Sequence, residues 1–239
     1  AQCVPITIRA IVGRGWGQGT QHSQSLQALF AHIPGLKVAM PSSPYDAKGM
    51  LLASIEDPNP VIFIEYRKLY DEVGPVPEEM YFEPLGKGAI RREGQDVTLV
   101  ASSYMVVEAL EAANRLEKVG IDVEVVDLRT VKPLDEDLIL SSVAKTGRLV
   151  VADTGWKTCG IASEVAACVA EKGFHHLKAA VRRISLPDVP TPTTPALEEV
   201  YYPGAAQIAE AAYEIVKGGR AGIDSVLVAT EDKVGQEFI

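Results

Sequence analysis

The sequence predicts an α/β fold with a mainly parallel sheet, in two consecutive units. Short runs rich in Val and Ile alternate with longer segments of helical period, which is the pattern of parallel α/β proteins. Proline or glycine stands at nearly every junction between them. A chain of 239 residues, 47% of them hydrophobic, can also bury a core without disulfides. The composition excludes disordered, collagenous and coiled-coil classes.

The first unit is predicted over residues 1–73 and contains three strands and two helices. The strands are predicted at residues 5–12, 36–40 and 60–66, and the helices at residues 22–32 and 46–55. Residues 74–86 lose this periodicity and hold three prolines and three glutamates, so they are predicted to form a linker.

The second unit is predicted over residues 87–217, with five strands and four helices. In the helix over residues 105–119 the apolar residues recur at helical spacing, and Gly120 stands at its end. Residues 187–195 contain four prolines and are predicted to be an extended loop. The strands are predicted at residues 87–91, 97–101, 122–127, 148–153 and 180–184, and the helices at residues 105–119, 135–144, 161–171 and 204–216.

The two ends of the chain are less regular. Residues 218–239 are predicted to be a tail, in which residues 225–230 form a late strand or a segment ordered only against a partner. The sequence starts without Met, and residues 4–12 already have the pattern of a buried strand. The expectation is therefore a fragment that lacks the N-terminal part of its first domain.

Charge and cysteine content bound the partners and the compartment. Lys and Arg number 23 against 32 acidic residues, a net charge of -9, so a nucleic acid partner is not expected. No apolar run reaches the roughly 18–20 residues that cross a membrane, and the first ten residues given, AQCVPITIRA, lack the pattern of a signal peptide. The three cysteines, Cys3, Cys159 and Cys168, lack metal-binding spacing and predict reduced, buried thiols in a cytoplasm-like compartment.

A glycine-rich segment follows the first strand. Residues 13–19 hold four glycines, which can bring bare backbone amides close to a ligand. A dinucleotide site would need an acid at the end of the next strand, but that strand ends in Met40 and Pro41. The segment is therefore predicted to be a flexible or partner-ordered active-site loop, with an ordinary long turn as the alternative.

His22 is the candidate catalytic residue, because it lies where this loop meets the predicted helix. A histidine in the first helical turn would feel the positive end of the helix dipole, which favours a neutral ring able to accept and donate protons. A solvated or capping histidine is the alternative. His32 is interpreted as a helix-end residue, and His175 and His176 as surface residues.

Residues 54–60 offer a candidate cation site. Two prolines stop the helix before them, so its last carbonyls lack amide partners at the negative end of the dipole. A weakly hydrated cation such as potassium could satisfy them, and so could water or a turn. The sequence contains no GxSxG nucleophile motif, no Walker loop, no HExxH zinc motif and no calcium-binding loop. His22 is therefore the one catalytic residue that the sequence itself suggests.

Several longer strings carry a resemblance to a known family. They are VPITIRA, then HSQS after the glycine loop, AHIPGLKVAMPSSPYDAKG, and DVPTPTTPALEEVYYPGAAQIAEA. Over about residues 4–216 the chain resembles the beta subunit of thiamine-diphosphate-dependent 2-oxoacid dehydrogenases of the pyruvate, branched-chain and acetoin type. The resemblance implies a partial pyrimidine-binding (transketolase-like) domain, followed by a transketolase C-terminal-type domain.

The resemblance also implies an activity and an assembly. The activity is oxidative decarboxylation of a 2-oxoacid with acyl transfer to lipoamide, in the cytoplasm or mitochondrial matrix. The assembly is a tetramer of two alpha and two beta chains that docks the subunit-binding domain of a lipoyl acyltransferase. Thiamine diphosphate lies between the chains, with its diphosphate and magnesium on the alpha chain. The activating glutamate is expected upstream of residue 1, so this fragment alone is expected to be inactive.

Position by position, His22 matches the active-site histidine of that family. Matching potassium ligands are the backbone carbonyls of Ile6, Ser54, Ile55, Asp57 and Asn59. The loop differs from the common family spelling at Arg14 and Trp16. A transketolase or deoxyxylulose-phosphate-synthase fragment is one alternative, and a non-catalytic docking module is another.

Overall fold

The computed structural model describes residues 3–15 and 17–227, and within them the chain forms two sheets. The first sheet has the strand order β1-β3-β2-β7, in which the first three strands are parallel and β7 is antiparallel to β2. The strands are β1 (Thr7–Val12), β2 (Lys37–Ala39), β3 (Val61–Tyr66) and β7 (Thr130–Lys132), and the helices of this part are α1 (Gly19–His22), α2 (Gln27–Ala31) and α3 (Pro44–Glu56).

The second sheet has the order β4-β6-β5-β8-β9 and is parallel except for its edge strand β4. Its strands are β4 (Ala89–Arg92), β5 (Val97–Ala101), β6 (Val123–Asp127), β8 (Leu149–Trp156) and β9 (Arg182–Leu186). The helices are α4 (Tyr104–Glu117), α5 (Glu136–Thr146), α6 (Ile161–Lys172), α7 (Pro195–Tyr201), α8 (Ala205–Lys217) and α9 (Asp224–Leu227). The predicted α/β class with mainly parallel sheets is confirmed.

The predicted helix over residues 22–32 is wrong, because the chain forms α1 and α2 with a break between them. Helices this short are marginal on propensity alone, so tertiary contacts decide their ends. Here the break buries Ser23 and Ser25 and directs the fully buried Gln27 toward the second sheet. His22 is consequently the last residue of α1.

Residues 72–88 contain no helix or strand, and the proposed linker over residues 74–86 stays a prediction. Lys48 of α3 anchors this segment with its ammonium group. That group donates hydrogen bonds to the carbonyls of Pro77, Glu78 (3.1 Å) and Glu79 (2.9 Å). The linker is therefore held against the first unit rather than extended between the two.

The two units share a core and a sheet. Strand β7 belongs to the predicted second unit, yet it completes the first sheet beside β2. One buried cluster contains side chains from both sheets, among them Ile62 and Ile64 of β3 and Val126 and Val151 of the second sheet. The units therefore fold against each other over apolar surface, which is the main favourable term in their association.

A buried cluster of charges crosses the same junction. Asp46 of α3 forms ion pairs with Arg91 of β4 and with Arg129, the latter at 2.7 Å. Arg91 also pairs with Asp127 of β6 at 2.8 Å, and Arg129 pairs with Glu83 at 2.9 Å. Both aspartates are fully buried. Each arginine therefore links two acids on different elements.

Three other expectations have outcomes in the structure. The extended loop is confirmed up to its last proline, where α7 begins with Pro195 at its first turn. A late strand from Ser225 is wrong: α9 covers Ser225 to Leu227 and buries Val226 against the core, and residues 228–230 lie outside the described residues. No helix over residues 3–15 and 17–227 is long and apolar enough to cross a membrane.

The cysteines differ from the expected pattern. All three are free, but only Cys168 is buried, while Cys3 and Cys159 are exposed. Burial raises the pKa of the Cys168 thiol. Cys159 lies in the turn after β8 with a φ of +55°, so backbone geometry rather than apolar packing sets its position.

Candidate functional site

The glycine loop leaves the first sheet at the carboxyl ends of two paired strands. Val12 of β1 lies in register with Tyr66 of β3, so Gly13 and Arg67 emerge side by side. Gly13 has a φ of +78°, and a Cβ there would lie 2.1 Å from the Tyr66 ring. Only glycine fits this position. The carboxyl edge of a parallel sheet is also where α/β proteins bind ligands.

The far end of the loop touches the second unit. Gly17 and Gly19 both have positive φ values, +72° and +66°. A Cβ on Gly17 would lie 2.9 Å from the Thr193 carbonyl oxygen, and one on Gly19 would lie 3.2 Å from the Thr193 hydroxyl. The glycines thus let the loop pass close to the proline-rich loop. Contacts within the chain, not a partner alone, hold this segment.

His22 ends the same loop and points its side chain to the surface. Its residue is exposed and is the last of the four-residue helix α1. The expected place in the first turn of a long helix is therefore wrong, and the argument from the helix dipole does not apply. What remains is an accessible imidazole, whose two ring nitrogens face solvent rather than the core.

Several polar atoms of the glycine loop and of the break after α1 are buried without a hydrogen-bond partner among the described residues. They are Nε of Arg14, Oε1 of Gln18 and the hydroxyl oxygens of Ser23 and Ser25. Most buried polar atoms in proteins are paired with protein or ordered water. Such a group of atoms beside an exposed histidine fits one wall of a site that water, a ligand or another chain completes.

A buried carboxylate fixes this wall to the second sheet. Asp153 of β8 accepts hydrogen bonds from the Gln27 amide (2.8 Å) and from the backbone N–H groups of Gly155 (3.1 Å) and Ile161 (3.0 Å). Burial raises the pKa of Asp153, while these donors oppose the shift. The bond from Gln27 ties α2, and with it the segment after His22, to β8.

Aromatic rings and cations fill the space beneath the loop. Arg14 lies over the Tyr202 ring at 4.7 Å, and Lys68 lies over the Tyr104 ring at 5.2 Å. Burial lowers the pKa of Lys68, and the charge of Arg14 lowers it further. Burial also raises the pKa of Tyr202 to about 12, so the phenol stays protonated at neutral pH. The remaining cavity of ≈ 10 Å³ has room for one water molecule.

An open groove lies on the outer side of the candidate site. Its volume is ≈ 530 Å³, and its walls come from Thr20 of α1, from Gln24, from Trp156 and from the proline-rich loop. The indole N–H of Trp156 donates inward, to the Val189 carbonyl (3.2 Å) and the Tyr201 hydroxyl (3.1 Å). Because its N–H is used there, the indole offers the groove an apolar surface.

The candidate potassium ligands lie where β1 begins and α3 ends, and they are Ile6, Ser54, Ile55, Asp57 and Asn59. Two of the five carbonyls accept hydrogen bonds within the protein. The Ile6 carbonyl accepts from the Val61 N–H at 2.9 Å. The Ser54 carbonyl accepts from the Thr7 hydroxyl at 2.8 Å and from the Asp57 N–H at 3.4 Å. A carbonyl has two lone pairs, so the Ile6 oxygen keeps one for a cation, whereas both lone pairs of the Ser54 oxygen are already used.

The other histidines stay apart from this site. His32 follows α2 and is exposed, as are His175 and His176, whose rings are 4.0 Å apart. In the part of the chain that the structure describes, no group of three or more His, Cys, Asp or Glu side chains is placed to hold a metal ion.

Three residues of this site were missed in the sequence. Arg67 donates from one terminal nitrogen, Nη1, to the Gly13 carbonyl (2.7 Å) and to the His22 carbonyl (3.3 Å). Gln27 and Asp153 form the buried link to β8. Asp153 had a signal, because it is an acid at the carboxyl end of a predicted strand. The other two act through long-range contacts that no local pattern reveals.

Comparison with known proteins agrees with this architecture. The transketolase pyrimidine binding domain matches residues 1–72, and the transketolase C-terminal domain matches residues 86–208. The acetoin:2,6-dichlorophenolindophenol oxidoreductase subunit beta of Cupriavidus necator is 51% identical over 90% of the chain and 64% of its own length. The pyruvate dehydrogenase E1 component subunit beta of Bacillus subtilis is 44% identical over 89% of the chain and 66% of its own length.

A solved structure described as a split gene transketolase, inactive beta4 tetramer, superposes with a TM-score of 0.75. Its sequence is 29% identical, and the match covers 90% of this chain and 68% of that one. The chain spans less than two thirds of the length of the two curated relatives.

Proposed function

The chain belongs to the transketolase C-terminal domain family, here preceded by a matching pyrimidine binding domain, and from this premise we propose that it is part of a dehydrogenase beta subunit. The enzyme would depend on thiamine diphosphate and act on a 2-oxoacid or acetoin, with transfer of the acyl group to lipoamide. The observation that carries the proposal is the exposed imidazole of His22 at the end of the glycine loop.

The residues of this chain fit one side of such a site. Thiamine diphosphate, when bound, supplies an electron sink for the bond that breaks next to the carbonyl group. His22 would face the reacting group from the loop and would hold or deliver a proton through one ring nitrogen. The buried Ser23 and Ser25 hydroxyls, which lack partners among the described residues, fit a wall that the cofactor and a second chain complete.

The proposal includes the partners. The diphosphate and magnesium are assigned to an alpha subunit, in a tetramer with a second beta subunit. The C-terminal domain would dock the subunit-binding domain of a lipoyl acyltransferase, and a chain of net charge -9 suits a basic partner. The complex would work in the cytoplasm, or in the mitochondrial matrix of a eukaryote.

Turnover by the alpha-beta complex that contains this sequence tests the proposal. We expect reduction of an artificial electron acceptor with acetoin, pyruvate or a branched-chain 2-oxoacid, dependent on thiamine diphosphate. Turnover of sugar phosphates instead would support the transketolase alternative. Capture of the acyltransferase by a complex that turns over none of these substrates would support the docking module. Either result contradicts the proposed function.

A potassium ion at the end of α3 is a second part of the proposal. The residues named above lie where β1 begins and α3 ends, two places that the bond from the Thr7 hydroxyl to the Ser54 carbonyl connects, and carbonyl oxygens are the ligands that potassium takes. Replacing lithium chloride by potassium chloride at equal ionic strength should raise the thermal midpoint by about 2–4 °C, the shift expected for about 1 kcal/mol of binding. Sodium chloride serves as the control salt. Equal thermal midpoints in lithium, sodium and potassium chloride would contradict the proposed potassium site.

A further inference from the structure

We propose that Arg67 is a positioning residue that holds His22 in place by closing the glycine loop. The proposal rests on the function proposed above, since it assigns a role toward His22. It goes beyond that function because it gives a role to a residue that lies outside the loop and far from His22 in the sequence. Three contacts of the Arg67 side chain carry it.

The sheet register places Arg67 next to the start of the loop. Val12 and Tyr66 are paired, and the next residue of each strand, Gly13 and Arg67, leaves the sheet on the same edge. Arg67 opens a 3₁₀ helix directly after β3, so its backbone is set by a fully buried strand. The backbone of Arg67 is therefore rigid, whereas the loop that its side chain contacts is rich in glycine.

One guanidinium nitrogen bridges the two ends of the loop. Nη1 of Arg67 carries two N–H groups, and it donates to the Gly13 carbonyl at 2.7 Å and to the His22 carbonyl at 3.3 Å. The planar, always charged guanidinium suits such a bridge because its donors point in fixed directions. The ten residues from Gly13 to His22 thus start and end on the same side-chain atom.

The stem of Arg67 makes the third contact. A Cβ on Gly15 would lie 2.4 Å from Cδ of Arg67, so the middle of the loop packs against this side chain. Gly15 does not have a positive φ, and the three atoms nearest to an added Cβ all belong to the Arg67 side chain. Alanine at position 15 would therefore disturb this contact while residues 67 and 22 keep their identities.

The consequence is a defined position for an otherwise mobile histidine. A glycine-rich segment loses much conformational entropy when it is ordered, so it needs contacts that fix it. Misplacing a catalytic group by about 1 Å can lower a rate by about 10²-fold. We assign Arg67 no contact with substrate or cofactor, so its effect on the reaction passes only through the loop.

The test combines amide hydrogen exchange of the full chain with kinetics of the alpha-beta complex. In Arg67→Met we expect exchange in residues 13–22 to rise about tenfold, since local opening is no longer opposed by the bridge. We expect kcat to fall by about 10–100-fold with KM nearly unchanged. Arg67→Lys, which keeps a charged donor, should recover part of both effects, and Gly15→Ala should reproduce the loss.

The matched control is Arg115→Met, which removes an arginine whose ion pair with Glu111 lies within α4. It should leave both readouts at the level of the parent protein. Unchanged exchange in Arg67→Met would overturn the proposal. Faster exchange with unchanged kcat, in a complex that His22→Ala inactivates, would also overturn it while the proposed function stands. If His22→Ala is fully active, His22 has no catalytic role and Arg67 cannot act on the rate through it, whereas the exchange result still decides whether Arg67 closes the loop.

Discussion

Replacing His22 by alanine should lower the turnover of the alpha-beta complex by about 10²–10⁴-fold, the range for loss of a general acid or base. The imidazole is exposed at the end of the glycine loop, so its removal leaves no cavity in the core. The effect should therefore appear in kcat while the fold is unaffected. Steady-state kinetics with far-UV circular dichroism and thermal midpoints separate the two.

His32→Ala is the matched control, because His32 is also exposed and follows a short helix. It should keep the activity of the parent protein. If His22→Ala turns over at the rate of the parent protein, His22 has no catalytic role. If instead the variant loses its far-UV circular dichroism signal and its cooperative thermal transition, His22 stabilises the fold rather than taking part in the reaction.

Replacing Asp46 by alanine should lower the free energy of unfolding by about 3 kcal/mol, at the lower end of the range for breaking a buried ion pair. Asp46 is fully buried between Arg91 and Arg129, and its loss leaves both guanidinium groups with one acid fewer. The loss stays at the lower end because each arginine keeps another partner, Asp127 or Glu83. Urea unfolding with an unchanged m value would measure it.

Glu111→Ala is the control for this second prediction. Glu111 pairs with Arg115 on α4 at 2.9 Å, and exposed pairs at this helical spacing contribute only about 0.3–0.5 kcal/mol. A loss in Asp46→Ala no larger than in Glu111→Ala would show that the charge cluster does not stabilise the junction. If Asp46→Ala unfolds in two separate transitions where the parent protein unfolds in one, the charge cluster couples the two units.

The fold class could be predicted because it depends on local patterns. Valine-rich and isoleucine-rich runs separated by helical segments predict parallel strands. Of the nine strands among residues 3–15 and 17–227, eight were predicted near their observed positions. Strand β7 was missed, since three residues after a left-handed Arg129 show no period of their own. Its strand character comes from pairing with β2.

The candidate site could be predicted only in part. His22 follows a glycine-rich loop, so the loop and the histidine could be singled out from the sequence. The break between α1 and α2 could not. Two buried serines and the contact of Gln27 with Asp153 stop the helix there, and these partners are far apart in the sequence. The Arg67 bridge was invisible for the same reason, because only strand register brings its donor to the loop.

Strand β7 has a consequence for how such chains can be recombined. It is contributed by the C-terminal half but fills an edge of the N-terminal sheet. A chimera made by exchanging one half with a paralogue would carry a foreign strand into a native sheet, and the side chains on both faces would have to match. Exchange of both halves together avoids that mismatch. Exchange of one half alone would therefore be selected against.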